Sequence, residues 1–114
     1  MFGPDVPTVD VAGIPPGAVL LDCREDGEWA AGHIDGAVHV PMNTIPERLQ
    51  ADPGALTPDV PIVVVCKVGS RSAHVAAWLN QNGFDAMNLD GGMYAWDAAG
   101  RTMRSETGAE PYIA

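Results

Sequence analysis

The run Pro61-Ile62-Val63-Val64-Val65-Cys66 constrains the fold more than any other stretch, because it is apolar throughout and rich in β-branched residues. A strand with one wet face alternates apolar and polar side chains; this one does not, so both of its faces have to be covered. Shorter apolar runs at residues 18–23, 36–41 and 86–90 also read as strands. Helix-like segments separate them: "REDGEWAAG", "MNTIPERLQAD", "SRSAHVAAWLNQNG" and "GGMYAWDAAG". Strands alternating with helices at this pace predict right-handed crossovers and a parallel sheet, hence an α/β fold. The helix beginning near Ser70 carries Val75 and Leu79 four apart, with a left-handed stop at Asn82-Gly83.

Chain length predicts one domain over residues 1–100, followed by a tail over 101–114 whose lack of period suggests an arm laid on the surface or partly disordered. Two cysteines, Cys23 and Cys66, make neither a disulfide framework nor a zinc ligand set, so no metal site built on cysteines is expected and a reduced compartment is. The opening "MFGPDVPTVDVAG" lacks the basic and apolar regions of a leader, and no run approaches the roughly 20 apolar residues of a membrane span. A cytoplasmic protein without membrane contact is expected. The net charge of −9 opposes binding to a phosphate backbone, which needs a basic face, so no nucleic-acid partner is expected.

Ligands of open parallel sheets bind beyond the carboxyl ends of the strands, and Cys66 stands at such an end. The residues that follow, Lys67, Val68, Gly69, Ser70, Arg71 and Ser72, form a short arc into a helix. Backbone N–H groups converge in an arc of this kind, and the helix dipole adds positive potential. Gly69 permits conformations closed to other residues, Lys67 and Arg71 bring charge, and the hydroxyls of Ser70 and Ser72 can donate hydrogen bonds. Together these features predict a Cys66 thiol below the free-cysteine value of about 8.5, and therefore a nucleophile. The competing reading is a buried cysteine that fills a strand end.

The stretch Cys66 to Ser72 resembles the active-site loop of the rhodanese-like domains. "LLDCREDGEWAAGHIDGAVHVP" (20–41) is similar to the family's N-terminal signature, with Asp22, Arg24, Glu28, Gly32, His33, Ile34, Gly36 and Ala37 in place, and "LDGGMYAW" (89–96) to its C-terminal one. The resemblance implies a three-layer α/β fold with a five-stranded parallel sheet flanked by helices, its first short strand near "PTVDV". It also implies sulfur transfer through a persulfide on Cys66, a chemistry for which no metal and no organic cofactor is expected. A small anionic donor such as thiosulfate, and cyanide, a thiol or a sulfur-accepting protein as acceptor, would meet at a cradle made by residues 67–72. Four residues separate Cys66 from Arg71, the shorter loop of this family, whereas the related cysteine phosphatases have five.

Two other functions compete with that reading. They are a non-catalytic binding or regulatory module, which an intact Cys66 disfavours, and a cysteine phosphatase or arsenate reductase, which the short loop disfavours. Asp22 and Arg24 are expected as a charge pair beneath the site. Cys23 reads as a small apolar residue, with a thiol that resolves an oxidised Cys66 as the alternative. His33 is expected to fix a turn, His39 to sit in a strand, and His74 to be a weak acid–base candidate. Trp29, Trp78 and Trp96 read as packing.

Overall fold

A computed structural model describes residues 5–114; the first four residues, the start of the "MFGPDVPTVDVAG" segment, lie outside it. Five strands form a parallel sheet: β1 (Thr8–Val9), β2 (Val19–Asp22), β4 (Val38–His39), β5 (Ile62–Val65) and β6 (Ala86–Leu89). Their order across the sheet is β1-β6-β5-β2-β4, which puts β5 at the centre. The helices are α1 (Asp26–Ala31), α2 (Ile45–Ala51), α3 (Ser70–Gln81) and α4 (Gly92–Ala98). The first strand falls inside the "PTVDV" segment, as the resemblance implies.

Successive residues of β5 point to opposite faces, and each face has its own core. Ile62, Val64 and Cys66 pack with Leu21, Cys23, Ile45, Val75, Ala76 and Leu79, on the side of α2 and α3. Val63 and Val65 pack with Ile34, Leu89, Met93 and Trp96, on the side of α4. These two covers are why the β5 run has no polar alternation. Because every strand of this sheet is parallel, all the strands end at one edge, and the segments after β2, β5 and β6 emerge side by side there.

The tail lies against the domain as an arm. Strand β7 (Met103–Arg104) pairs antiparallel with β3 (His33–Ile34), and Ile113 joins the core on the α4 side. Backbone bonds from Glu106 N–H to the Ala30 carbonyl at 2.9 Å and from Tyr112 N–H to the Ala31 carbonyl at 3.1 Å hold the arm along α1. It passes so close to Gly32 that a Cβ there would lie 2.9 Å from the Tyr112 nitrogen. Residues 103–113 are thus laid along the domain as an arm. A two-residue strand is too short to show a period.

Candidate functional site

Cys66 is the first residue after β5, and its sulfur is the point on which the following arc closes. The Gly69 N–H donates to Cys66 Sγ at 3.0 Å, and Ser72 Oγ lies 3.2 Å from the same atom. Burial alone would push this thiol up. Hydrogen bonds from the Ser72 hydroxyl and from the Ser72, Gly69 and Val68 amides outweigh burial and bring it below its ordinary value. Gly69 has φ of 111°, a left-handed conformation that turns its amide inward and starts α3.

Behind the arc, α4 begins against it. Met93 N–H donates to the Cys66 carbonyl at 2.9 Å, and Tyr94 N–H to that of Lys67 at 3.3 Å. Gly92 makes the approach feasible: at φ of 54°, an added Cβ would collide with the Cys66 carbonyl oxygen and come within 2.7 Å of the Lys67 oxygen. Gly92 thus lets one loop seat on the other.

The side chains of the arc divide differently from expectation. Ser72 is fully buried and reaches the sulfur, whereas Ser70 is exposed. Val68 is 54% exposed at the crest, beside Lys67, whose Nζ sits 5.8 Å from the centre of the half-exposed Tyr94 ring. Arg71, expected to face an anionic donor, instead gives both terminal nitrogens to Glu28 of α1, at 2.8 and 3.0 Å. Its charge is spent on tying the arc to α1.

That ion pair has a pH signature. The Arg71 guanidinium holds the Glu28 carboxyl down to about 2 from an ordinary 4.5. Stability from the pair is therefore complete above about 4.5 and is lost as pH falls towards 2. Both partners are part-exposed, so after solvent screening the effect is on the order of 1 kcal/mol. Denaturant unfolding of the wild type and Glu28→Gln should differ most at pH 5 to 7 and converge by about pH 2. A constant difference across that range would place the stabilisation elsewhere.

A model of the rhodanese-like domain matches residues 12–99, which include the arc and both flanking signatures. The chain belongs to the rhodanese-like domain family. The putative sulfurtransferase YtwF of Bacillus subtilis is 42% identical over 78 residues, covering 68% of this chain and 72% of its own. The thiosulfate sulfurtransferase GlpE of Pseudomonas fluorescens is 41% identical over 81 residues, covering 70% and 71%. Among solved structures, a rhodanese-like domain protein from Staphylococcus aureus superposes with a TM-score of 0.69 at 30% identity, covering 93% of this chain and 98% of that one.

In this rhodanese-like domain Asp22 and Arg24 form the expected pair. Arg24 Nη2 meets Asp22 Oδ2 at 2.8 Å and Nε meets both carboxylate oxygens, while Nη2 also donates to the Gly32 carbonyl at 2.8 Å. The pair fixes both ends of α1, and through α1 the position of Glu28. Cys23 continues β2 beside Cys66, with its N–H on the Val65 carbonyl at 3.0 Å and its Sγ 3.4 Å from the same oxygen. Both thiols are free and buried. Burial, then the neighbouring Cys66 sulfur and Asp22 carboxylate, push the Cys23 thiol far up, which makes it a poor nucleophile.

His33 and His39 have structural partners. His33 Nδ1 is 2.7 Å from the Trp29 carbonyl and His39 Nε2 is 2.8 Å from that of Arg24, and their rings stack on Trp29 at 3.6 and 4.6 Å between centroids. His74 is exposed on α3. Sequence reasoning missed Asn88 of β6, whose amide touches both Ser72 and Gly69. Its one signal is a polar residue between Met87 and Leu89 in a buried strand.

Proposed function

We propose that this domain is a sulfurtransferase that carries sulfane sulfur as a persulfide on Cys66. The observation that supports it most is the closure of the arc on one sulfur: the Gly69 amide and Ser72 meet at Sγ, with four residues between Cys66 and Arg71. In the first half-reaction the Cys66 thiolate attacks the outer sulfur of thiosulfate. The S–S bond of the donor breaks, sulfite leaves with its electron pair, and the enzyme holds a persulfide anion. In the second, cyanide or an acceptor thiolate attacks the outer sulfur and returns the Cys66 thiolate.

With Arg71 committed to Glu28, Lys67 on the crest is the cation that attracts the anionic donor. Exposed Val68 and Tyr94 beside it offer an apolar rim to a larger thiol or to a sulfur-accepting protein. Two free thiols suit a reduced, cytoplasmic setting. No described helix is long and apolar enough to cross a membrane.

The test is to incubate reduced protein with thiosulfate, look for one added sulfur on the Cys66 peptide by mass spectrometry, and then add cyanide and measure thiocyanate. Loss of the added sulfur should accompany thiocyanate formation. Failure to load sulfur from thiosulfate or from an organic persulfide would overturn the proposal.

A further inference from the structure

Asn88 is the one side chain outside the arc and α3 that bonds to both Gly69 and Ser72 among the described residues. Its Nδ2 donates to the Gly69 carbonyl at 3.0 Å, and its Oδ1 accepts from Ser72 Oγ at 2.5 Å. Gly69 in turn donates its N–H to Cys66 Sγ, and Ser72 Oγ contacts the same sulfur. The four residues thus close a ring of hydrogen bonds, with Ser72 and Asn88 both buried.

Donor counting makes this ring informative. The Gly69 carbonyl accepts only, so the Asn88 amide has to present its NH₂ group there and its oxygen to Ser72. Ser72 has one hydroxyl proton and two groups that want it, the Asn88 oxygen and the Cys66 sulfur. A neutral thiol or persulfide-linked Sγ makes little demand, and Ser72 donates to Asn88. A thiolate is the stronger acceptor and draws the proton over, leaving the buried Asn88 oxygen without it, at a cost.

We infer that Asn88 is a positioning residue for sulfur transfer, one that competes with the Cys66 thiolate for the Ser72 proton and so keeps that thiolate more basic than Ser72 alone would leave it. The inference rests on the reading of Cys66 as the sulfur-carrying nucleophile. The free thiolate is penalised relative to the persulfide, which favours loading. A more basic thiolate is also the better nucleophile, with rates rising as roughly the 0.4–0.5 power of basicity.

The test uses Asn88→Leu, which keeps volume but neither accepts nor donates, and Asn88→Ala as a second variant, each in the Ser72 and the Ser72→Ala backgrounds. The rate of iodoacetamide alkylation at the Cys66 peptide, followed against pH, gives the thiol midpoint. With Ser72 present, removing the Asn88 oxygen should lower that midpoint by about one pH unit more than in the Ser72→Ala background. The comparison between backgrounds subtracts whatever the lost anchor on Gly69 does. Above the midpoint, loading by thiosulfate should slow about threefold while discharge by cyanide does not slow.

Equal shifts in the two backgrounds, or a midpoint that rises only when Ser72 is present, would overturn the inference and leave Asn88 a packing residue. Alkylation requires no sulfur chemistry, so failure of sulfur loading with the midpoint shift intact would count against the proposed function and not against the proton competition.

Discussion

Cys66→Ser is expected to abolish sulfur loading, with no sulfur-bearing species by intact mass after thiosulfate treatment and thiocyanate formation lowered by at least about a thousandfold. A serine hydroxyl is protonated at neutral pH and is a poor nucleophile towards sulfur, and the cradle that lowers a thiol cannot bring an alkoxide within range. The folded protein should tolerate the exchange. A serine oxygen can still accept the Gly69 N–H, now made to Cys66 Sγ at 3.0 Å, and can still bond to Ser72. The stability change should therefore be within about 1 kcal/mol. Cys66→Ala removes that acceptor from a buried position and should cost about 1–3 kcal/mol while being equally inactive. The pair of variants separates the nucleophile from the acceptor. Wild-type turnover by the serine protein would move the chemistry to another residue.

The parts of this site that a reader of the sequence can find are those made by neighbours along the chain. Ile62 to Val65 announce a strand covered on both faces because all four side chains are apolar and no period-2 polar face interrupts them. Cys66 to Ser72 announce a cradle because a glycine able to take φ of 111° falls three residues after the cysteine and a helix follows at once. What lies far apart in sequence stays hidden. Arg71 looks like a substrate ligand until Glu28, forty-three residues earlier, is seen against it. An arginine beside a cysteine nucleophile is read as serving it, and nothing local reveals that its charge is already paired.

Asn88 is hidden for another reason. A polar residue in a strand reads as the wet face of that strand, and only the parallel pairing of β6 with β5 turns Asn88 towards the arc that follows Cys66. The tail is hidden by brevity, since β7 has two residues and its partner β3 another two, too few for alternation to show. Gly32 and Gly92 do carry local signals as part of the family signatures, but their physical reason is the backbone of a distant segment pressed against each. Charge accounting changes with the structure as well: the cradle lowers the Cys66 thiol with hydroxyl and amide hydrogen bonds, and Arg71 serves the geometry of the arc.

Asp22→Ala should be the most destabilising single exchange among the charged residues, at about 3–5 kcal/mol. Arg24 is 0% exposed and Asp22 1%, so removing the carboxylate leaves a guanidinium in the interior with the Gly32 carbonyl as its remaining partner. Arg24 Nη1 already lacks a hydrogen-bond partner among the described residues, which offer no spare acceptor to take over. At roughly 4–8 °C per kcal/mol for a domain near this size, the melting temperature should fall by on the order of 15 °C or more. The penalty belongs to the stranded charge and not to the lost attraction, and a second substitution separates the two. Asp22→Ala with Arg24→Met, which keeps an unbranched apolar stem in the same space, should recover most of the stability in urea unfolding. An Asp22→Ala protein within about 1 kcal/mol of wild type would mean that the Arg24 head reaches water by a rearrangement of α1. Because α1 also carries Glu28, that rearrangement would loosen Arg71 and with it the arc that holds the sulfur.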